Sequence, residues 1–170
     1  MSKRRRIIAF DVGATITGVA VADVGDPTEA LDVIKLGVLQ TSVKDKPDAF
    51  MATLTSSGFH ELIRPGDLVL LENMPGPNWT VIRRNKAVRQ YFEGKGAHVQ
   101  CLMPNQKYGV KSKKSSARKQ EAVATATDIL KGTTAYGEFT SFARNHDIAD
   151  ALLMVEYLHR NPHKVKKSAA

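Results

Sequence analysis

Four carboxylates stand where this 170-residue sequence could do chemistry: Asp11, Glu72, Asp147 and Asp150. Asp11 ends the apolar run Ile7-Ile8-Ala9-Phe10 and is followed by Val12-Gly13-Ala14. A carboxylate at the end of such a run loses hydration and needs a partner or a cation. The small residues behind it leave room for a ligand to come close. Glu72 repeats the arrangement after Leu68-Val69-Leu70-Leu71, shortly before Pro75-Gly76. Asp147 and Asp150 stand at i and i+3 at the head of an apolar-faced segment, so on a helix their side chains share one face. Each acid taken singly also suits a turn or a helix N-terminus, where the backbone dipole favours negative charge. Together they make the oxygen-rich donor set that hard divalent cations require. Two Mg²⁺ or Mn²⁺ ions about 4 Å apart in one such site activate a water and stabilise the leaving oxygen in phosphodiester hydrolysis, with no serine or cysteine nucleophile. His146, beside Asp147, could orient the attacking water or touch a phosphate; a capping or solvent-exposed imidazole is its other reading.

Strands must deliver the first two acids and a helix the last two. Residues 6–12, 17–22 and 31–39 carry runs of β-branched and apolar residues divided by turn-forming glycines and prolines, and predict a three-stranded antiparallel meander. Residues 45–63 predict a helix that Ser56-Ser57-Gly58 weakens in the middle. The continuous apolar run at 67–72 suits a strand buried on both faces. A helix at 78–93, a strand at 97–103, a helix at 117–130 and a helix at 147–159 follow, with few apolar residues over 107–116. That order predicts an α/β domain over residues 1–160, a mixed five-stranded sheet with helices on both faces, and a basic tail at 161–170 whose end is frayed.

Charge narrows the partner. Lys and Arg number 25 against 17 Asp and Glu, a formal net charge of +8 with a pI near 9.7, which favours a polyanion. The cations are clustered: Lys107, Lys111, Lys113, Lys114, Arg118 and Lys119 form one group and Arg83, Arg84, Lys86 and Arg89 another. Clusters of this kind neutralise phosphates and release counterions. The lone Cys101 excludes an intramolecular disulfide and suggests a reducing, intracellular compartment. Asp11 and the glycines after it interrupt the N-terminal apolar stretch, which argues against both a signal peptide and a membrane span.

At these residues the sequence resembles the RuvC-type Holliday junction resolvases of the ribonuclease H-like superfamily, in particular their divergent viral and mitochondrial branch. Ile8-Ala9-Phe10-Asp11-Val12-Gly13, Leu70-Leu71-Glu72 and Asp147-Ile148-Ala149-Asp150-Ala151-Leu152 carry the resemblance, in order and approximate spacing across nearly the whole chain. The resemblance implies a Mg²⁺-dependent endonuclease, with Mn²⁺ as a substitute. It implies a homodimer in which each subunit nicks one of two opposed strands of a four-way or otherwise branched DNA junction, in the cytoplasm or a viral replication compartment. By the same resemblance the segment from Lys107 to Lys119 lies beside the active site and holds the junction backbone, with Lys111, Lys113, Lys114 and Arg118 as its contacts. The helix after Glu72 forms much of the dimer interface or faces the junction centre. The segment Asn73-Met74-Pro75-Gly76-Pro77 departs from the bacterial pattern, so residues that open the junction do not carry over, and cleavage-sequence preference stays open.

Three other readings use the same residues. The acids equally serve a ribonuclease H-like enzyme acting on RNA or an RNA–DNA hybrid. A non-catalytic DNA-binding module would use them as caps. The stretch from Asp11 to Gly18 also resembles the phosphate loop of sugar kinases and actin-like proteins, but those need a second such domain and loop, so no nucleotide cofactor is expected.

Overall fold

The computed structural model describes residues 4–73, 76–103 and 115–167, Ser115 by its backbone alone. The first three strands, β1 (Arg5–Asp11), β2 (Ile16–Val24) and β3 (Asp32–Gln40), form the expected antiparallel meander. β4 (Leu68–Glu72) then enters beside β1 in parallel, and β5 (His98–Leu102) pairs in parallel with β4, giving the order β3-β2-β1-β4-β5. The central strands β1 and β4 are therefore enclosed, which is why both read as nearly unbroken apolar runs.

Alternation along the strands sorts the core into two layers. Ile8, Phe10, Val19, Val21, Val69, Leu71 and Val99 face α1 (Pro47–Ser56) and α2 (Trp79–Gly94). Ile7, Ala9, Ala20, Ala22, Leu68 and Leu70 face the other side, covered by α3 (Ser115–Leu130), α4 (Ala135–Ser141) and α5 (His146–Arg160). The α/β domain with helices on both faces is thus present. Among the described residues no helix is long and apolar enough to cross a membrane.

The structure departs from the sequence reading in three places. The helix expected over 45–63 is broken: α1 stops at Ser56, Gly58 takes a left-handed φ of 79°, and a 3-10 helix from Phe59 to Leu62 turns Phe59 under the sheet. Gly37 makes that turn possible, since a Cβ there would lie 2.7 Å from the Phe59 ring. α4 was not expected, because Gly137 and the surrounding threonines obscure a short element whose Phe139 is wholly buried. The C-terminal tail is not frayed at Lys166. Its backbone N–H donates to Gln100 Oε1 at 3.0 Å, Gln100 Nε2 donates to the Lys164 carbonyl at 3.0 Å, and the His98 ring bonds the Lys166 carbonyl at 2.9 Å. A buried amide on the edge strand requires partners, and the tail supplies them while covering the edge.

Arg84 also requires a correction. Instead of facing DNA, it is completely buried beneath the β1–β2 turn. Its Nη1 donates to the carbonyls of Gly13 at 2.8 Å and Ala14 at 2.7 Å, its Nη2 donates to the Ser42 carbonyl at 2.8 Å, and the guanidinium lies 5.0 Å over the Phe50 ring. Burial lowers the proton affinity of this guanidinium and the charge of Asp45 partly restores it. Carbonyl dipoles thus solvate the cation in place of water, and the side chain ties the turn after Asp11 to the loop after β3.

α5 lies across β2 and β1 and is seated at both ends. At its end, the buried His159 Nε2–H donates to the Glu29 carbonyl at 2.8 Å. At its head, the Asp147 backbone rests directly on Gly18 of β2: a Cβ on Gly18 would overlap the Asp147 carbonyl group and come within 2.7 Å of the Ile148 nitrogen. These neighbours are backbone atoms and cannot rotate away. Gly18→Ala should therefore lower the unfolding free energy by roughly 1–3 kcal/mol, as overpacking does. Urea unfolding measures this, and a change within about 0.5 kcal/mol, as for a neutral surface site, would show that α5 is not seated there.

Candidate active site

The register places the acids. Asp11 continues the series Ile7, Ala9 on the α5 side of β1, and Glu72 continues Leu68, Leu70 on the α5 side of β4. Phe10 pairs with Leu71, so the next positions, Asp11 and Glu72, are neighbours at the exits of two parallel central strands. Asp11 pairs with Gly18 on its other side, and Gly18 carries the Asp147 backbone. Asp150 follows one helical turn along α5. Strand alternation and parallel pairing thus put Asp11 and Glu72 on the α5 side of two adjacent strand exits, and helix seating brings Asp147 close enough to Asp11 for the two charges to interact.

Several contacts hold these ends in place. The Gly13 N–H donates to Thr17 Oγ1 at 3.3 Å within the turn after Asp11, and Thr17 is fully buried. Asn85 of α2 donates from Nδ2 to the Glu72 carbonyl at 3.1 Å, and the Asn73 N–H donates to the Leu102 carbonyl at 2.7 Å. Sequence reasoning passed over Thr17, Gly18 and Asn85 in this role, since a polar or small residue in an apolar run carries no mark of what it supports.

Asp147 sits in the most demanding environment. Burial pushes its carboxyl above the usual carboxylate range, the negative charge of Asp11 pushes the same way, and His146, Arg144 and Lys119 pull it back. Its Oδ2 is buried and accepts no hydrogen bond, although His146 Nε2 lies at 3.4 Å and Arg144 Nη2 at 3.6 Å. A buried carboxylate oxygen beside a second acid, with cations near but not bonded, has unmet demand for positive charge. Among the described residues no group of three or more acidic, histidine or cysteine side chains is placed so that it could hold a metal ion as the side chains stand. The donor set nevertheless fits a hard cation in kind, being all oxygen, and in charge.

The basic residues divide. Arg118 and Lys119 are exposed on the first turns of α3, which packs against α5, and Lys119 is near enough to act on Asp147. Arg83 is exposed on α2, on the opposite layer. Lys107, Lys111, Lys113 and Lys114 lie outside the described residues. Arg144, which the sequence analysis missed, flanks Asp147 from i−3; a basic residue three positions before an acid at a helix start was the available signal.

No protein-family model and no curated protein matches the sequence. Solved structures do. Fowlpox virus resolvase, in its complex with substrate Holliday junction DNA, aligns with a TM-score of 0.70 at 15% identity over 94% of this chain and 99% of that one. T. thermophilus RuvC in complex with a Holliday junction substrate aligns with a TM-score of 0.68 at 18% identity over 93% of this chain and 95% of that one. The match spans the sheet, both helical layers and the length of each chain, so the protein has the ribonuclease H-like fold of the RuvC-type resolvases.

Proposed function

We propose that this protein is a structure-selective endonuclease that resolves four-way DNA junctions, working as a homodimer in which each subunit makes one of two paired nicks. The observation that carries the reading is the buried Oδ2 of Asp147, which accepts no hydrogen bond and feels the charge of Asp11, with Glu72 on the same face of the adjacent strand and Asp150 one turn along the helix. The similar structures are described as complexes with Holliday junction DNA, which supports branched DNA as substrate.

Asp11, Glu72, Asp147 and Asp150 would hold Mg²⁺, or Mn²⁺ in its place, as two ions per site. Bound there, such ions supply activation of the attacking water and stabilisation of the leaving oxygen. The residues of the chain do the rest. The rigid strand exits fix two carboxylates, and α5 fixes the other two at helical spacing. Arg118 and Lys119 offer positive charge to the phosphate backbone on the same layer, with Arg83 as a further contact from α2. His146 is close enough to Asp147 to orient a water or a phosphate oxygen at the site.

Two outcomes follow. On a labelled four-way junction in Mg²⁺, the wild type should make paired symmetric nicks, and Asp147→Asn should slow them by about a hundredfold or more while still binding the junction. Undiminished cutting by the variant would displace the site, and equal cutting of an RNA–DNA hybrid by the wild type would overturn the junction reading.

The second outcome is a pH dependence. The folded-state pKa of Asp147 is raised, so its stabilising contribution is complete below the ordinary carboxylate pKa of about 3.9 and is lost as pH rises through the raised value. Without metal, Asp147→Asn should therefore gain in melting temperature relative to the wild type as pH rises above the ordinary carboxylate pKa of about 3.9. Mg²⁺ should reverse the gain by stabilising the wild type more. A difference that is flat in pH and indifferent to Mg²⁺ would contradict this assignment.

A further inference from the structure

We propose that a cavity between α3 and the head of α5 is a nucleobase subsite, which receives the base adjoining the phosphate at the carboxylates. This deepens the nuclease reading and rests on it for the position of the phosphate. The cavity measures about 380 Å³ and is lined by Lys119, Gln120, Val123, Ala124, Asn145 and His146. That size falls within the range of about 300–1,000 Å³ typical of small-ligand pockets.

Location is the first argument. His146 immediately precedes Asp147, and Lys119 on the opposite wall is close enough for its charge to act on the Asp147 carboxylate. A group in the cavity is therefore next to the acids, within reach of a nucleotide whose phosphate lies at them.

The lining is the second argument. Val123 and Ala124 give a mostly apolar wall, which suits the flat face of a base and suits a phosphate poorly. Gln120 and Asn145 add carboxamides from two different helices, and each presents a donor and an acceptor together. Asn145 occupies the N-cap position of α5, where asparagine ordinarily accepts from the backbone N–H groups of the first turn. Here its backbone is right-handed helical, with φ −87° and ψ −5°, and its side chain makes no capping bond. The amide is thereby left to the cavity. Carboxamides read adenine bidentately better than any other base, so adenine is the base assigned to the site.

Branched DNA is where such a site can be filled. Bases in a duplex are stacked out of reach, whereas a base at a branch point leaves the stack at least cost. The consequence is a cleavage-sequence preference written by Gln120 and Asn145.

The test uses the full-length protein in two arms. In the first, wild type, Gln120→Ala and Asn145→Ala cut four-way junctions randomised around the branch. Each variant should flatten the wild-type preference at one position by roughly tenfold. A preference unchanged in both variants overturns the subsite. In the second arm, ¹⁵N-labelled wild type without metal is titrated with deoxyadenosine monophosphate, which should give saturable shifts at Gln120, Val123 and Asn145. Absence of those shifts also overturns the subsite. Saturable shifts in a protein that cuts no junction would support the base site and remove the nuclease reading.

Discussion

The head of α5 rests on β2 at a position with no side chain, and the rest of the site depends on that close approach. Gly18 faces the same layer as Ala20 and Ala22, so β2 presents a row of small residues to the helix above it. Because Gly18 pairs with Asp11 across the sheet, lowering the helix onto Gly18 also lowers Asp147 towards Asp11. One absent methyl group thus couples the packing of the α5 layer to the spacing between acids from opposite ends of the chain.

That arrangement has an electrostatic cost. Asp147 is desolvated and feels the charge of Asp11, while its flanking Arg144 and His146 approach without a hydrogen bond to Oδ2. A chain optimised for stability alone would place an uncharged residue there. Arg84 shows a different solution to the same problem: a buried charge whose two Nη groups donate to surrounding carbonyls, although its Nε makes no hydrogen bond. One charge is spent on holding the turn behind Asp11. The other is left in demand, as expected of a group that serves a ligand.

The sheet was legible in the sequence because β1 and β4 are enclosed and must be apolar, so the acids that end them stand out. The helix that carries Asp147 and Asp150 was legible from its apolar spacing. Less visible was anything that depends on a third dimension. Arg84 lies between exposed basic residues in the sequence and reads as one of them, yet helical periodicity turns it inward with Val81 and Val88. The anchoring of the tail by Gln100 was hidden because a polar residue in an edge strand reads as exposed until its partner is known. Gly18 lay within the expected second strand with nothing to mark its role, because that role is set by a helix that begins well over a hundred residues later.

In the proposed function Asp11, Glu72, Asp147 and Asp150 would hold divalent cations on the α5 side of the sheet. The most direct measurement is an anomalous-scattering map of crystals of the full-length protein grown with Mn²⁺. The expected result is density for two ions about 4 Å apart, ligated by these carboxylates. Mn²⁺ bound elsewhere, or a site at which Asp147 takes no part, would contradict it.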